Sequence, residues 1–235
     1  MPGSTPSKPR GDLPKLRRRT ATAVRVLDDL FGVEEWDGPR DPLDVLIKTI
    51  LSQNTNDDNR DRAYGGLRKK FPTWESVMNA HVKTIAGAIR AGGLVNQKAR
   101  NIKDFLIWLK NERGALNLDF LCGMDASAAI EMLCQRRGIG IKTVSVTLMF
   151  ACGKDIFPVD THVHRIARRL GLIPQTCTAE RAHELIPPLI PRGKALSFHV
   201  NLLEFGRKIC RSRNPDCNVC PLRRSCLYVR GEVSA

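Results

Sequence analysis

Aromatic side chains are scarce in this chain. They make up 6% of 235 residues, with only two tyrosines, which argues against a stacking platform for single strands or RNA bases. No apolar run approaches the length of a membrane span, so no membrane partner is expected. The N-terminus begins Met1-Pro2-Gly3-Ser4 and lacks the apolar core of a secretion signal. Pro2, Pro6, Pro9 and Pro14 speak against an amphipathic transit helix. Residues 1 to about 15 read as a flexible basic tail. Strand alternation is absent, and no internal repeat points to a solenoid.

Helical spacing and positive charge are what the chain does have. Val24, Leu27, Leu30 and Phe31 form one apolar stripe. Leu43, Leu46, Ile47 and Ile50 form another, opened by Pro42 at a first helical position. Further helices are expected around 59–70, 73–80, 82–91, 96–112, 125–135, 142–152, 161–170, 178–190 and 194–208. Glycines such as Gly92-Gly93, Gly114 and Gly171 punctuate them. The fold class is therefore all-α. Net charge is +14, and a basic soluble protein of this kind commonly meets a polyanion such as nucleic acid.

Four cysteines near the C-terminus, Cys210, Cys217, Cys220 and Cys226, have the spacing C-x6-C-x2-C-x5-C. The close pair can put two thiolates on one metal or cluster edge, and the spacing alone fits zinc and iron–sulfur equally. Cys122, Cys134, Cys152 and Cys177 read as free thiols of a reducing, intracellular compartment: cytoplasm or nucleoid, or a eukaryotic nucleus.

Upstream lies Arg137-Gly138-Ile139-Gly140-Ile141-Lys142-Thr143, between two helical stretches. Glycines there allow a tight hairpin that phosphate can approach closely, and the helix that follows starts with unpaired amides. An ordinary interhelical turn has the same pattern. Lys142 is either a phosphate contact or, with its amine neutral, a nucleophile. Asp160, in Val159-Asp160-Thr161-His162, can cap the next helix or stabilise developing positive charge on a sugar. His162 and His164 are two apart and on a helix face different ways, which disfavours a shared metal.

Taken in order, the hairpin with Lys142, the Val159–His162 segment and the four-cysteine run resemble the endonuclease III family of base-excision DNA glycosylases. Leu51-Ser52-Gln53-Asn54-Thr55-Asn56-Asp57 and Gly93-Leu94-Val95-Asn96-Gln97-Lys98-Ala99 add to the likeness, which spans roughly residues 24 to 228. The resemblance implies a two-lobed helix-hairpin-helix fold with the DNA cleft between the lobes: a six-helix bundle over 35–154, and a second lobe from 16–34 and 155–235 with a C-terminal [4Fe-4S] cluster loop. It implies Lys142 as nucleophile, Asp160 as its partner, and Cys210, Cys217, Cys220 and Cys226 as cluster ligands. It also implies DNA contacts from Gly138, Gly140, Ile141, Gln53, Asn54, Leu94, Arg211 and Arg213. The implied protein is a monomer acting on double-stranded DNA, removing oxidised or ring-saturated pyrimidines and cutting abasic sites by β-elimination.

Departures from the family pattern bear on DNA grip and damage range. Asn54 stands where Gln is usual, with Gln53 beside it as a possible substitute; Val95 replaces a common Tyr, Arg136-Arg137 replaces Leu-Pro, and Asn214 and Asp216 sit at often basic places. The stretch Gly114–Met132 is longer than usual. Three alternatives follow: a hydrolytic G·T or G·U mismatch glycosylase, a damage-binding paralogue with little turnover, and a zinc-ribbon-like nucleic-acid module.

Overall fold

The structure is a computed structural model that describes residues 13–232. All regular structure in these residues is helical. The α-helices are α1 Leu13–Phe31, α2 Pro42–Leu51, α3 Asp57–Lys70, α4 Trp74–Asn79, α5 Val82–Ala88, α6 Val95–Arg113, α7 Phe120–Gly123, α8 Ala126–Cys134, α9 Ile141–Cys152, α10 Thr161–Arg169, α11 Ala179–Leu185 and α12 Ala195–Lys208. Short 3-10 turns span Arg90–Gly92, Pro187–Leu189 and Arg223–Ser225. Residues 1–12 of the expected tail lie outside the described residues. Its last three residues do not belong to a tail: Leu13, Pro14 and Lys15 open α1, where proline is tolerated because first-turn amides have no helical partner.

The chain divides into two compact units, Trp36–Pro158 and Met1–Glu35 with Val159–Ala235. The first holds eight α-helices, α2 to α9, two more than a six-helix bundle; α4, α5 and α7 are each under two turns. Its start is set by Asp41, whose carboxylate caps α2 by accepting from the Leu43 and Asp44 amides at 2.8 and 3.2 Å, with Pro42 at the first helical position. One apolar cluster runs through this unit, with Leu46, Ile50, Leu67, Ile85, Ile102, Leu106, Leu133, Val144 and Leu148 fully buried. α9 lies deep within it, packed on α2, α7 and α8. Buried Thr147 is accommodated because its hydroxyl donates to the Thr143 carbonyl at 3.0 Å.

In the second unit α1 and α10 both pack on α12. Asp28 joins α1 to α12: one carboxylate oxygen accepts from Ser197 Oγ at 2.7 Å and Asn201 Nδ2 at 3.0 Å, the other from Lys194 Nζ at 3.0 Å. A carboxylate held this way is satisfied despite its burial. It attaches the N-terminal helix to a helix about 170 residues later in the chain.

The cysteines outside the four-cysteine run differ from expectation. Cys122 and Cys152 form a disulfide that ties α7 to the end of α9, whereas Cys134 and Cys177 are free thiols. The pairing joins the 114–132 stretch to α9.

Candidate nucleic-acid interface and cysteine cavity

The hairpin between α8 and α9 is fixed from several sides. Gly138 has φ +79°, and a Cβ there would overlap the side-chain amide of Asn101, so only glycine fits. Asn101 itself is 2% exposed. The Gly138 carbonyl accepts from Gln53 Nε2 at 2.9 Å, and the Arg136 guanidinium lies over the Trp108 ring at 5.0 Å. Gly140 is the N-cap of α9 and gives it no side-chain cap. The amides that open the helix, Ile141 among them, are thereby offered to an anion. Lys142 is the second residue of α9 and half-buried.

Gln53 Nε2 is engaged with the hairpin through the Gly138 carbonyl. Asn54 is exposed in the left-handed region at φ 52°. Leu94, the N-cap of α6, is left-handed too, at φ 47° and ψ 35°, and 52% exposed. Both are non-glycine residues in a conformation that costs free energy. The two loops lie side by side: a Cβ on Gly93 would come within 3.9 Å of the Asn54 carbonyl. Val95, where the resemblance expects a Tyr, begins α6.

Beside the hairpin is a polar cavity of about 250 Å³ lined by Asn96, Gln97, Arg100, Asn101 and Arg137. Two guanidiniums and three amides suit phosphate oxygens. Arg137 was visible in the sequence as a departure from Leu-Pro; Arg100 was not, because it reads there as an ordinary solvated helix residue.

In the other unit Asp160 is the N-cap of α10, one carboxylate oxygen accepting from the Val163 amide at 2.8 Å. The structural role foreseen for it is present, and the second carboxylate oxygen is not part of the cap. His162 follows; burial pushes its imidazole down, against the upward pull of the Asp160 charge. Its Nδ1 lies 3.2 Å from Arg165 Nη2. His164 Nε2 instead meets the Cys177 carbonyl at 2.8 Å, so the two histidines share no partner.

The C-terminal part of α10 holds the cysteine loop. Arg165 donates to the Cys210 carbonyl at 3.0 and 3.2 Å and to the Gly206 carbonyl at 3.1 Å. Arg169, 2% exposed, donates to the Arg211 and Ser212 carbonyls at 2.7 and 3.0 Å and lies 3.4 Å from Cys210 Sγ. Its guanidinium also covers the Tyr228 ring at 4.8 Å. Arg169 is a residue that sequence reasoning missed, since an arginine in a basic helix gives no sign of burial. Arg211 is exposed but tied to its own loop through the Lys208 and Asn214 carbonyls at 3.3 and 3.2 Å. Arg213 is exposed.

Cys210, Cys217, Cys220 and Cys226 line one cavity, whose other walls include Ile166, Leu170, Phe205 and Ile209. Among the described residues no group of three or more His, Cys, Asp or Glu is gathered closely enough to hold a single metal ion. Burial pushes the Cys210 thiol up, and Cys220 to about 11. Left to themselves these thiols stay protonated at neutral pH, and a thiophilic metal centre would replace the protons. Four sulfurs around an apolar cavity, with a buried guanidinium against one of them, fit a thiolate-bound centre on donor chemistry.

The sequence pattern of the HhH-GPD superfamily of base excision DNA repair proteins matches residues 47–192. An Arabidopsis thaliana protein described as a candidate DNA glycosylase is 43% identical over 169 residues, 72% of this chain and 57% of that protein. The chain thus spans little more than half the length of that plant relative. Endonuclease III of Thermotoga maritima is 34% identical over 197 residues, covering 82% of this chain and 88% of its own. A solved non-covalent endonuclease III–DNA complex superposes with a TM-score of 0.79 at 24% identity, covering 92% of this chain and 97% of that one, a likeness of fold.

Proposed function

The chain belongs to the HhH-GPD superfamily of base excision DNA repair proteins, and on that premise we propose that it is a bifunctional DNA glycosylase and abasic-site lyase acting on oxidised or ring-saturated pyrimidines. The observation that carries this reading is Lys142 at the second position of α9, directly after a hairpin held open to phosphate. Lysine at that place supports both base removal and strand cutting.

The reaction follows from the residue types. The damaged nucleotide leaves the stack, as any base attacked at its sugar must. The neutral Lys142 amine attacks C1′ while the N-glycosidic bond breaks and the base departs with its electron pair, to be protonated. The aminal opens to an imine, a C2′ proton is lost, and the C3′–O bond breaks. Asp160 stabilises the oxocarbenium-like sugar with the carboxylate oxygen its cap does not use. Asn54 and Leu94, exposed on neighbouring loops, fill the space the base vacates and wedge the duplex. Gly138, Gly140, Ile141 and the exposed Arg213 grip phosphates without reading bases.

The four cysteines, which line one cavity, would hold a [4Fe-4S] cluster, the centre that the family resemblance implies for a four-cysteine run of this spacing. Bound there, the cluster supplies thiolate–iron bonds that staple the loop. Arg165 and Arg169 hold the loop's carbonyls, and α10 links this region to Asp160.

One observation favours a second reading, a damage binder with little turnover: Gln53 is tied to Gly138, leaving the shorter Asn54 to fill the gap. A nicking panel separates these readings, with duplexes carrying thymine glycol, dihydrouracil, an abasic site or a G·T mismatch. Strand cuts at the first three, absent in Lys142→Gln, support the glycosylase–lyase. Base loss only at G·T, without cutting, replaces it with a hydrolytic mismatch enzyme. Tight abasic-site binding without cutting replaces it with a binder.

A further inference from the structure

Lys98 is 2% exposed and sits in the first turn of α6. Its position is unfavourable twice over: burial penalises an ammonium, and a helix N-terminus repels one. Burial accordingly pushes its pKa down. Two short hydrogen bonds offset this. Nζ donates to the Leu51 carbonyl at 2.7 Å and to the Gly92 carbonyl at 2.6 Å. Leu51 is the last residue of α2, and Gly92 closes the Arg90–Gly92 turn. Each is followed at once by a loop carrying an exposed left-handed residue, Asn54 in one and Leu94 in the other. The Lys98 backbone amide also donates to the Leu94 carbonyl at 3.0 Å. One residue thus holds the root of the first loop and both ends of the second.

We propose that Lys98 is a positioning residue whose buried ammonium couples the Ser52–Asn56 and Gly93–Leu94 loops, so that Asn54 and Leu94 enter DNA as one rigid unit. A lysine that only satisfied the spare carbonyls at the end of α2 would have no need of Gly92. Joining the two costs a buried charge and fixes the distance between the loop roots. The loop geometry stands by itself, whereas the role toward DNA rests on the glycosylase reading.

Two substitutions test it. Lys98→Met keeps the stem and removes both bonds. Gly92→Ala disturbs the same junction while keeping the lysine, since its Cβ would lie 3.1 Å from Ala63 Cβ, close enough that the backbone around Gly92 or its neighbour must shift by a few tenths of an ångström. Hydrogen exchange of the protein alone should show residues 52–56 and 93–95 opening together, about tenfold or more faster in Lys98→Met, with the α2 and α9 interiors unchanged. A response in one loop only, or in neither, overturns the coupling. On DNA, excision of a base-paired lesion should fall about 30-fold, while excision of the same lesion in an unpaired bulge, which needs no wedge, should stay within about threefold of wild type. Equal losses on both substrates would reduce Lys98 to a structural lysine. If Lys98→Met fails to fold, Gly92→Ala carries the same two comparisons with smaller changes. If wild type cuts neither substrate, the glycosylase reading fails, and the exchange result still decides the coupling.

Discussion

Gly138 shows how a single residue position fixes the local conformation of the hairpin. Its positive φ and the Asn101 amide packed against its Cα exclude any side chain. Gly138→Ala should cost about 2–4 kcal/mol in chemical denaturation. Gly138→Ala combined with Asn101→Ala should recover part of that by removing the clash, with the φ penalty remaining. Asp160 caps α10, and substitution can separate that cap from the catalytic role proposed for it. Asp160→Asn keeps a competent cap, so stability should change by less than about 1 kcal/mol, while single-turnover excision should drop by about 10² or more because the charge is gone. Asp160→Ala should lose the cap as well. Other residue-scale features were hidden in the sequence. Gln53 finds its partner 85 positions away at Gly138, and Lys98 and Arg169 are polar by type yet buried. Burial of a charged residue follows from carbonyls delivered by distant elements, and no local pattern encodes those.

Among the elements, the long periodic helices were legible. The α2 start could be read from Pro42, and the boundaries expected for α3, α6, α9 and α12 differ from the observed ones by two residues or fewer. Capping chemistry and the 3.6-residue period are local signals, which is why they survive without tertiary information. The four-residue α7 was not legible, being too short to show a period. Its disulfide was missed for the same reason: nothing in the sequence brings Cys122 beside Cys152 until α7 and α9 are packed. The bridge closes a loop of separation 30, so loop entropy allows it about 3.6 kcal/mol of stabilisation. Thermal melts with and without dithiothreitol should show the oxidised protein melting higher. Cys152→Ser should match the reduced wild type and ignore the reagent; a variant as stable as oxidised wild type would mean the bridge contributes nothing. For the cysteine loop the expectation is a yellow-brown protein absorbing near ~400 nm, whose colour is lost when the centre is chelated or any of the four cysteines becomes Ala. A colourless protein loaded with zinc would contradict the cluster.

For the whole molecule, the all-α class was legible from missing strand alternation, and charge is what motivates the nucleic-acid partner proposed for it. A net charge of +14 predicts that duplex affinity falls steeply with salt, by about 10³ or more between 50 and 200 mM if six or more phosphates are engaged. A flat response would count against phosphate grip. Acid sensitivity has a definite sign. Burial lowers the folded pKa of His162 and His183 below the ordinary 6.5. As pH falls through 6.5 the unfolded chain takes up protons first, so their contribution is full above that pH and is lost toward the lowered folded values. Denaturant midpoints measured from pH 7.5 down to 5 should decline, and His183→Gln should flatten the decline. The grouping of α1 with the C-terminal helices entered the sequence reading only through the resemblance, which put 16–34 with 155–235, and not through any local pattern. Asp28 and its partners on α12 make that attachment, and they lie too far apart in sequence to be paired by inspection.

The central claim, that Lys142 is the nucleophile, is tested most directly by borohydride reduction during reaction with a duplex containing thymine glycol. Wild type should yield a covalent protein–DNA complex retained in denaturing gels, its mass showing one reduced imine on a peptide containing Lys142. Lys142→Gln should bind the same duplex within about threefold of wild type and yield no complex. A full yield of trapped complex from Lys142→Gln, or an adduct mapped to another lysine, would contradict the account.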